Sequence, residues 1–110
     1  MVTPAAAGRR ILVVDDNVKI VTLLRQGLTA EGYQVVTAQD GLEALALVAS
    51  CPPDLILLDI DLPGLSGSEI CRRLKSDPAT RLIPIVMITG QSALINRLEA
   101  WDYGADDFVP

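Results

Sequence analysis

Four aliphatic residues in a row, Leu55-Ile56-Leu57-Leu58, lead into an acid, Asp59, with no polar alternation between them. A short unbroken run of this kind predicts a strand buried on both faces, as in a parallel sheet covered by helices. Pro63-Gly64 then turns the chain. In open α/β sheets ligands bind beyond the carboxyl ends of the strands. The sequence therefore places Asp59 where a carboxylate can do chemistry.

The pattern recurs. Arg10-Ile11-Leu12-Val13-Val14 runs into Asp15-Asp16, and Ile83-Pro84-Ile85-Val86-Met87-Ile88 runs into Thr89. Helical spacing fills the intervals. Asn17 predicts the N-cap of a first helix carrying Ile20, Val21, Leu24 and Leu28, with Gly32 after Glu31 as its stop. Gln34–Ala38 reads as a short second strand. Asp40-Gly41 opens a second helix with an apolar stripe of Leu42, Leu45, Val48 and Ala49, and Cys51-Pro52-Pro53 ends it. A third helix, about Gly67 to Lys75, turns Ile70 and Leu74 inward and Arg72, Arg73 and Lys75 to solvent, and Asp77-Pro78 breaks it. Ser92 caps a fourth helix with Leu94, Ile95, Leu98 and Trp101, and Gly104-Ala105 turns into a fifth strand at Asp106–Val109.

Strict alternation of strand and helix predicts a doubly wound, flavodoxin-like α/β fold, a five-stranded parallel sheet in the order 2-1-3-4-5. The usual final helix is missing from this chain. Residues 9–110 form the single domain, and residues 1–8 read as a flexible N-terminal tail. In that order the first and third strands are neighbours, so Asp15, Asp16 and Asp59 share one small pocket, with Thr89 on the same edge.

Crowding three carboxylates is costly. Two like charges about 4 Å apart repel by roughly 4 kcal/mol at an effective dielectric near 20. Either one acid keeps its proton or a divalent cation neutralises the cluster. The chain has two cysteines, Cys51 and Cys71, and no histidine, which excludes a zinc site and reads as reduced thiols in a cytoplasmic protein. All-oxygen ligation favours a hard ion, Mg²⁺. A net charge of −5 argues against direct nucleic acid binding by this domain, and no apolar run is long enough for a membrane span.

Five segments carry a resemblance. They are Ile11–Asn17, Pro53–Asp59, Leu62-Pro63-Gly64 with Ser66-Gly67, Ile83–Thr89, and Gly104-Ala105-Asp106-Asp107-Phe108. In order and spacing they resemble the receiver domain of two-component response regulators, over nearly the whole chain from Arg10 onward. The resemblance implies that Asp59 is the phosphoacceptor, supplied by a phosphohistidine on a sensor histidine kinase or a phosphotransfer protein. It implies that Asp16 is a direct Mg²⁺ ligand, that Asp15 holds the ion through water, and that Asp59 and the backbone carbonyl of Asp61 complete the protein ligands. Thr89 corresponds to the hydroxyl residue that moves toward the phosphoryl group and Phe108 to the aromatic switch that follows it. Asp61 and Gln91 occupy positions that tune self-dephosphorylation. The implied activity is that of a switch, not an enzyme, whose fourth-helix and fifth-strand surface controls a downstream output domain or effector.

The chain departs from that family in one respect. A lysine that normally follows a proline such as Pro110, and the helix after it, are not in this sequence. The expectation is a fragment with apolar surface uncovered beside the first helix, which invites a homodimer. Two rival readings follow from the same residues. A degenerate receiver would serve only docking or dimerisation. Asp59-Ile60-Asp61 also resembles the nucleophile motif of haloacid-dehalogenase-type phosphatases, with Thr89 as a second motif, but that motif normally ends a first strand and leaves Asp15-Asp16 unexplained.

Overall fold

The computed structural model describes residues 8–60, 62 and 64–88, together with the backbone of 107–109. The elements are β1 (Arg10–Val14), α1 (Val18–Ala30), β2 (Gln34–Ala38), α2 (Gly41–Ser50), β3 (Leu55–Asp59), α3 (Gly67–Ser76), β4 (Ile85–Ile88) and β5 (Asp107–Val109). All strand pairs are parallel, in the order β2-β1-β3-β4-β5. This is the doubly wound order expected from the alternation. The expected fourth helix, with Ser92 and Trp101, lies outside the described residues, as do residues 1–7 of the tail.

Local chemistry sets the helix ends. The Asn17 side chain accepts the N–H groups of Lys19 and Ile20 at 3.0 and 3.3 Å, satisfying two donors that the first turn of α1 cannot. At the other end Gly32, with φ of +96°, takes the left-handed conformation of a Schellman motif. There the Tyr33 N–H reaches the Leu28 carbonyl at 3.1 Å and the Gly32 N–H the Thr29 carbonyl at 3.0 Å. Asp40 caps α2 by accepting the Glu43 N–H at 2.8 Å, and the Glu43 carboxylate returns to accept the Gln39 N–H at 2.8 Å. Ser66 caps α3 through the Glu69 N–H at 3.2 Å.

The main core lies between one sheet face and the pair α2 and α3. Leu12, Val14, Ile56, Leu58, Ile85 and Met87 from the strands meet Ala44, Val48, Ile70, Cys71 and Leu74 from the helices. On the opposite face stands α1, whose Arg25 guanidinium donates to the Thr37 hydroxyl at 3.0 Å; Thr37 is in register with Val13. Here burial is incomplete. Ile11 and Val13 are buried, but Leu55, Leu57, Val86 and Ile88 are only half-buried, and α1 has no fully buried residue. Two-sided burial thus holds for β1 and not for β3. Val21, Leu24 and Leu28 are half-buried as a face, while Ile20 is exposed.

Two further expectations are corrected. The buried stripe of α2 is Gly41, Ala44 and Val48, with Leu45 half-buried, whereas Leu42 and Ala49 face solvent. Nearly every position of this helix is apolar, so periodicity leaves its phase undefined; the close approach of Gly41 to Leu65 and to Ile70 of α3 helps to set it. Lys75 is not on a solvated face. Its ammonium donates to the carbonyls of Arg81 and Ile83 at 3.1 and 2.8 Å, tying the end of α3 to the segment before β4. Arg72 and Arg73 do lie exposed, both paired with Glu69. Pro84 falls just before β4, where it needs no donor and its carbonyl accepts the Ile56 N–H at 3.0 Å.

Candidate metal centre

Register builds the site. Val14 stands opposite Leu58 in the β1–β3 pair, so the next residues, Asp15 and Asp59, fall side by side at the carboxyl edge. Both backbones are held there by the ladders: the Asp15 N–H reaches the Ala38 carbonyl at 3.1 Å, and the Ile60 N–H reaches the Ile88 carbonyl at 3.3 Å. Oxygens from Asp15, Asp16 and Asp59 lie within 4.8 Å of one another. Asp15 is 2% exposed, Asp59 is half-buried and Asp16 faces solvent.

Asp15 does two things. Its carboxylate accepts the Asn17 N–H at 2.9 Å, which fixes the turn from β1 into α1. It also carries an ionisable group into the protein interior. Burial pushes the Asp15 carboxyl up, and the neighbouring Asp16 charge adds to this, while hydrogen bonds with the Asn17 N–H and with Asp59 oppose it. A group so placed favours either a proton or a cation. The donor set is oxygen only, with one acid open to solvent, and this suits Mg²⁺, which keeps several waters. The residues present therefore fit the ion.

Of the residues singled out from the sequence, Asp15, Asp16 and Asp59 are brought together. Asp61, Thr89, Gln91 and the Phe108 side chain lie outside the described residues; Phe108 enters only through its backbone, paired with Met87 in the β4–β5 register. Sequence reasoning passed over the anchoring of the loop after β3. Ile60 and Leu62 are 5% and 7% exposed and belong to the main core. The signal was present in the alternation of Asp59-Ile60-Asp61-Leu62, which turns every second residue inward. Gly64 then takes φ of +73°, the left-handed turn conformation glycine adopts without steric cost.

This sheet order, with a carboxylate cluster at the ends of β1 and β3, defines the class: a doubly wound α/β domain built around an acidic, cation-fitting centre. The family described as response regulator receiver domain matches residues 11–110, and the chain belongs to that family. The response regulator PleD of Caulobacter vibrioides is 51% identical over 100 residues, covering 91% of this chain and 22% of PleD. The response regulator MprA of a Mycobacterium species is 44% identical over 101 residues, covering 92% of this chain and 43% of MprA. The chain thus spans less than half the length of these relatives. Among solved structures, the phosphorylated cyanobacterial phytochrome response regulator RcpA matches with a TM-score of 0.86 at 30% identity, over 94% of this chain and 80% of that one.

Proposed function

We propose that this chain is a phosphorylation-dependent signalling switch in which Asp59 accepts a phosphoryl group from a histidine kinase or phosphotransfer protein. The observation that carries the reading is the convergence of Asp15, Asp16 and Asp59 within 4.8 Å. In the transfer, an Asp59 carboxylate oxygen bonds to phosphorus while the P–N bond to the donor imidazole breaks. The imidazole nitrogen keeps the bonding pair and takes up a proton from solvent. Bound Mg²⁺ supplies the positive charge that offsets the phosphoryl oxygens. Asp16, Asp59 and the Asp61 carbonyl would hold that ion, with Asp15 holding it through water. Thr89 contacts the phosphoryl group and Phe108 follows it, shifting a pre-existing equilibrium that an output domain or effector reads.

In this reading the domain is a binding module of the cytoplasm, turns over no substrate of its own and pairs with a second copy. Among the described residues no helix is long and apolar enough to cross a membrane. A phosphorylated relative among the solved structures supports the acceptor role.

The test is incubation of the protein with Mg²⁺ and acetyl phosphate, followed by intact-mass measurement. A single phosphoryl adduct that depends on Mg²⁺ and disappears in Asp59→Asn is expected. An adduct that survives Asp59→Asn overturns the assignment. Repeated turnover of a phosphomonoester would instead make the protein a phosphatase.

A further inference from the structure

The peptide joining Asp59 to Ile60 is touched by the start of α3. Gly67 is the first residue of that helix and is buried, and its N–H donates to the Ile60 carbonyl at 3.1 Å. A Cβ placed on Gly67 would lie 2.2 Å from the Asp59 carbonyl oxygen and 2.8 Å from the Ile60 Cα. Both neighbours are backbone atoms, so no change of rotamer relieves the overlap; the strand end or the helix must move. Gly67 does not have a positive φ. The position uses the absence of a side chain, and backbone freedom plays no part in it.

The same loop is also approached at Leu65 by the start of α2. A Cβ on Gly41, the first residue of α2, would lie 2.8 Å from the Ile70 Cδ1 and 2.9 Å from the Leu65 Cβ. Ile60 and Leu62 pin the loop into the core from below. The loop that leaves the sheet after Asp59 is therefore approached by two helix N-termini, each beginning with a glycine whose added Cβ would overlap a neighbour, at the Asp59–Ile60 backbone for Gly67 and at Leu65 and Ile70 for Gly41.

We infer that Gly67 is a positioning residue for Asp59, setting the acid's backbone, and with it the carboxylate, against Asp15 and Asp16. The inference rests on the reading of Asp59 as phosphoryl acceptor. A misplacement of about 1 Å costs on the order of a hundredfold in a reaction that depends on alignment. Loss of a group that orients a metal ligand typically costs about ten- to a hundredfold in affinity.

The experiment compares wild type, Gly67→Ala and Val48→Ala in the protein as the organism makes it, at a temperature where circular dichroism shows all three folded. Val48→Ala opens the core beneath α2 away from the acids and serves as a control for lost stability. Mg²⁺ affinity is read by calorimetry and the rate of adduct formation from acetyl phosphate by mass. Gly67→Ala is expected to lose about tenfold or more in Mg²⁺ affinity and about a hundredfold in rate. Val48→Ala should keep both within about twofold. Wild-type values in Gly67→Ala, or equal losses in Val48→Ala, overturn the inference. Should Gly67→Ala fail to fold, Gly41→Ala presses on the same loop through Leu65 and Ile70. It is expected to show the same kind of loss, and wild-type behaviour there overturns the inference too. A wild-type protein that takes neither metal nor phosphoryl group overturns the functional reading together with the inference; a competent wild type beside an equally competent Gly67→Ala overturns the inference alone.

Discussion

At the scale of the residue, Asp15 shows how one side chain serves structure and site at once. Its carboxylate completes the turn into α1 through the Asn17 N–H, a role asparagine can also fill with its side-chain oxygen. Its charge, disfavoured by burial and by Asp16, is what a cation would offset. Asp15→Asn should therefore leave the metal-free fold intact and raise its stability at neutral pH by about 1 kcal/mol, while weakening Mg²⁺ binding. The sign of the pH dependence follows from the raised Asp15 carboxyl. Between the unfolded and folded pKa values the folded state binds more protons, so Asp15's contribution to metal-free stability falls as pH rises through that window. Urea melts without metal should show the gap between Asp15→Asn and wild type widening from about pH 4 upward, toward neutrality. A gap that shrinks over this range would refute the assignment. The carboxylates themselves were legible in the sequence because each sits at the end of an apolar run. The Gly67 contact was not, since a 2.2 Å approach to the Asp59 carbonyl depends on where α3 docks, which no local pattern encodes.

At the scale of the element, boundaries marked by strong local chemistry were readable and faces were not. Asn17, Asp40 and Gly32 mark helix ends by capping interactions that act within a few residues, and the structure places them there. The phase of α2 depends on packing against α3 and Leu65, and its nearly all-apolar composition offered several equivalent stripes. Lys75 was read as solvated because lysine usually is, yet its ammonium spans two carbonyls across the α3–β4 connection. Lys75→Met keeps the aliphatic stem and removes both donors. It should lower stability by about 1 to 2 kcal/mol in denaturant melts, whereas a merely solvated lysine would change it by less than about 0.5 kcal/mol.

At the scale of the whole molecule, the sheet order was legible because alternating strands and helices with short connections admit few topologies. The degree of burial on each face was less so. An apolar run reports that a strand can be covered on both sides; Leu55, Leu57, Val86 and Ile88 remain half-buried on the α1 side. The order also has a kinetic consequence. β1 pairs directly with β3, although α1, β2 and α2 lie between them in the chain, so Asp15-Asp16 and Asp59 come together only after a loop of roughly forty residues has closed. A cation held between those two strand ends would bridge chain segments far apart in sequence. Mg²⁺ is therefore expected to slow unfolding several-fold while leaving the refolding rate nearly unchanged, a split that stopped-flow chevrons with and without the ion would reveal. Acceleration of refolding instead would mean that β1 and β3 dock before the rest of the sheet. With unfolding slowed and refolding unchanged, the acidic centre acts as a clasp closed at the end of folding, and its strength sets how long the domain stays shut.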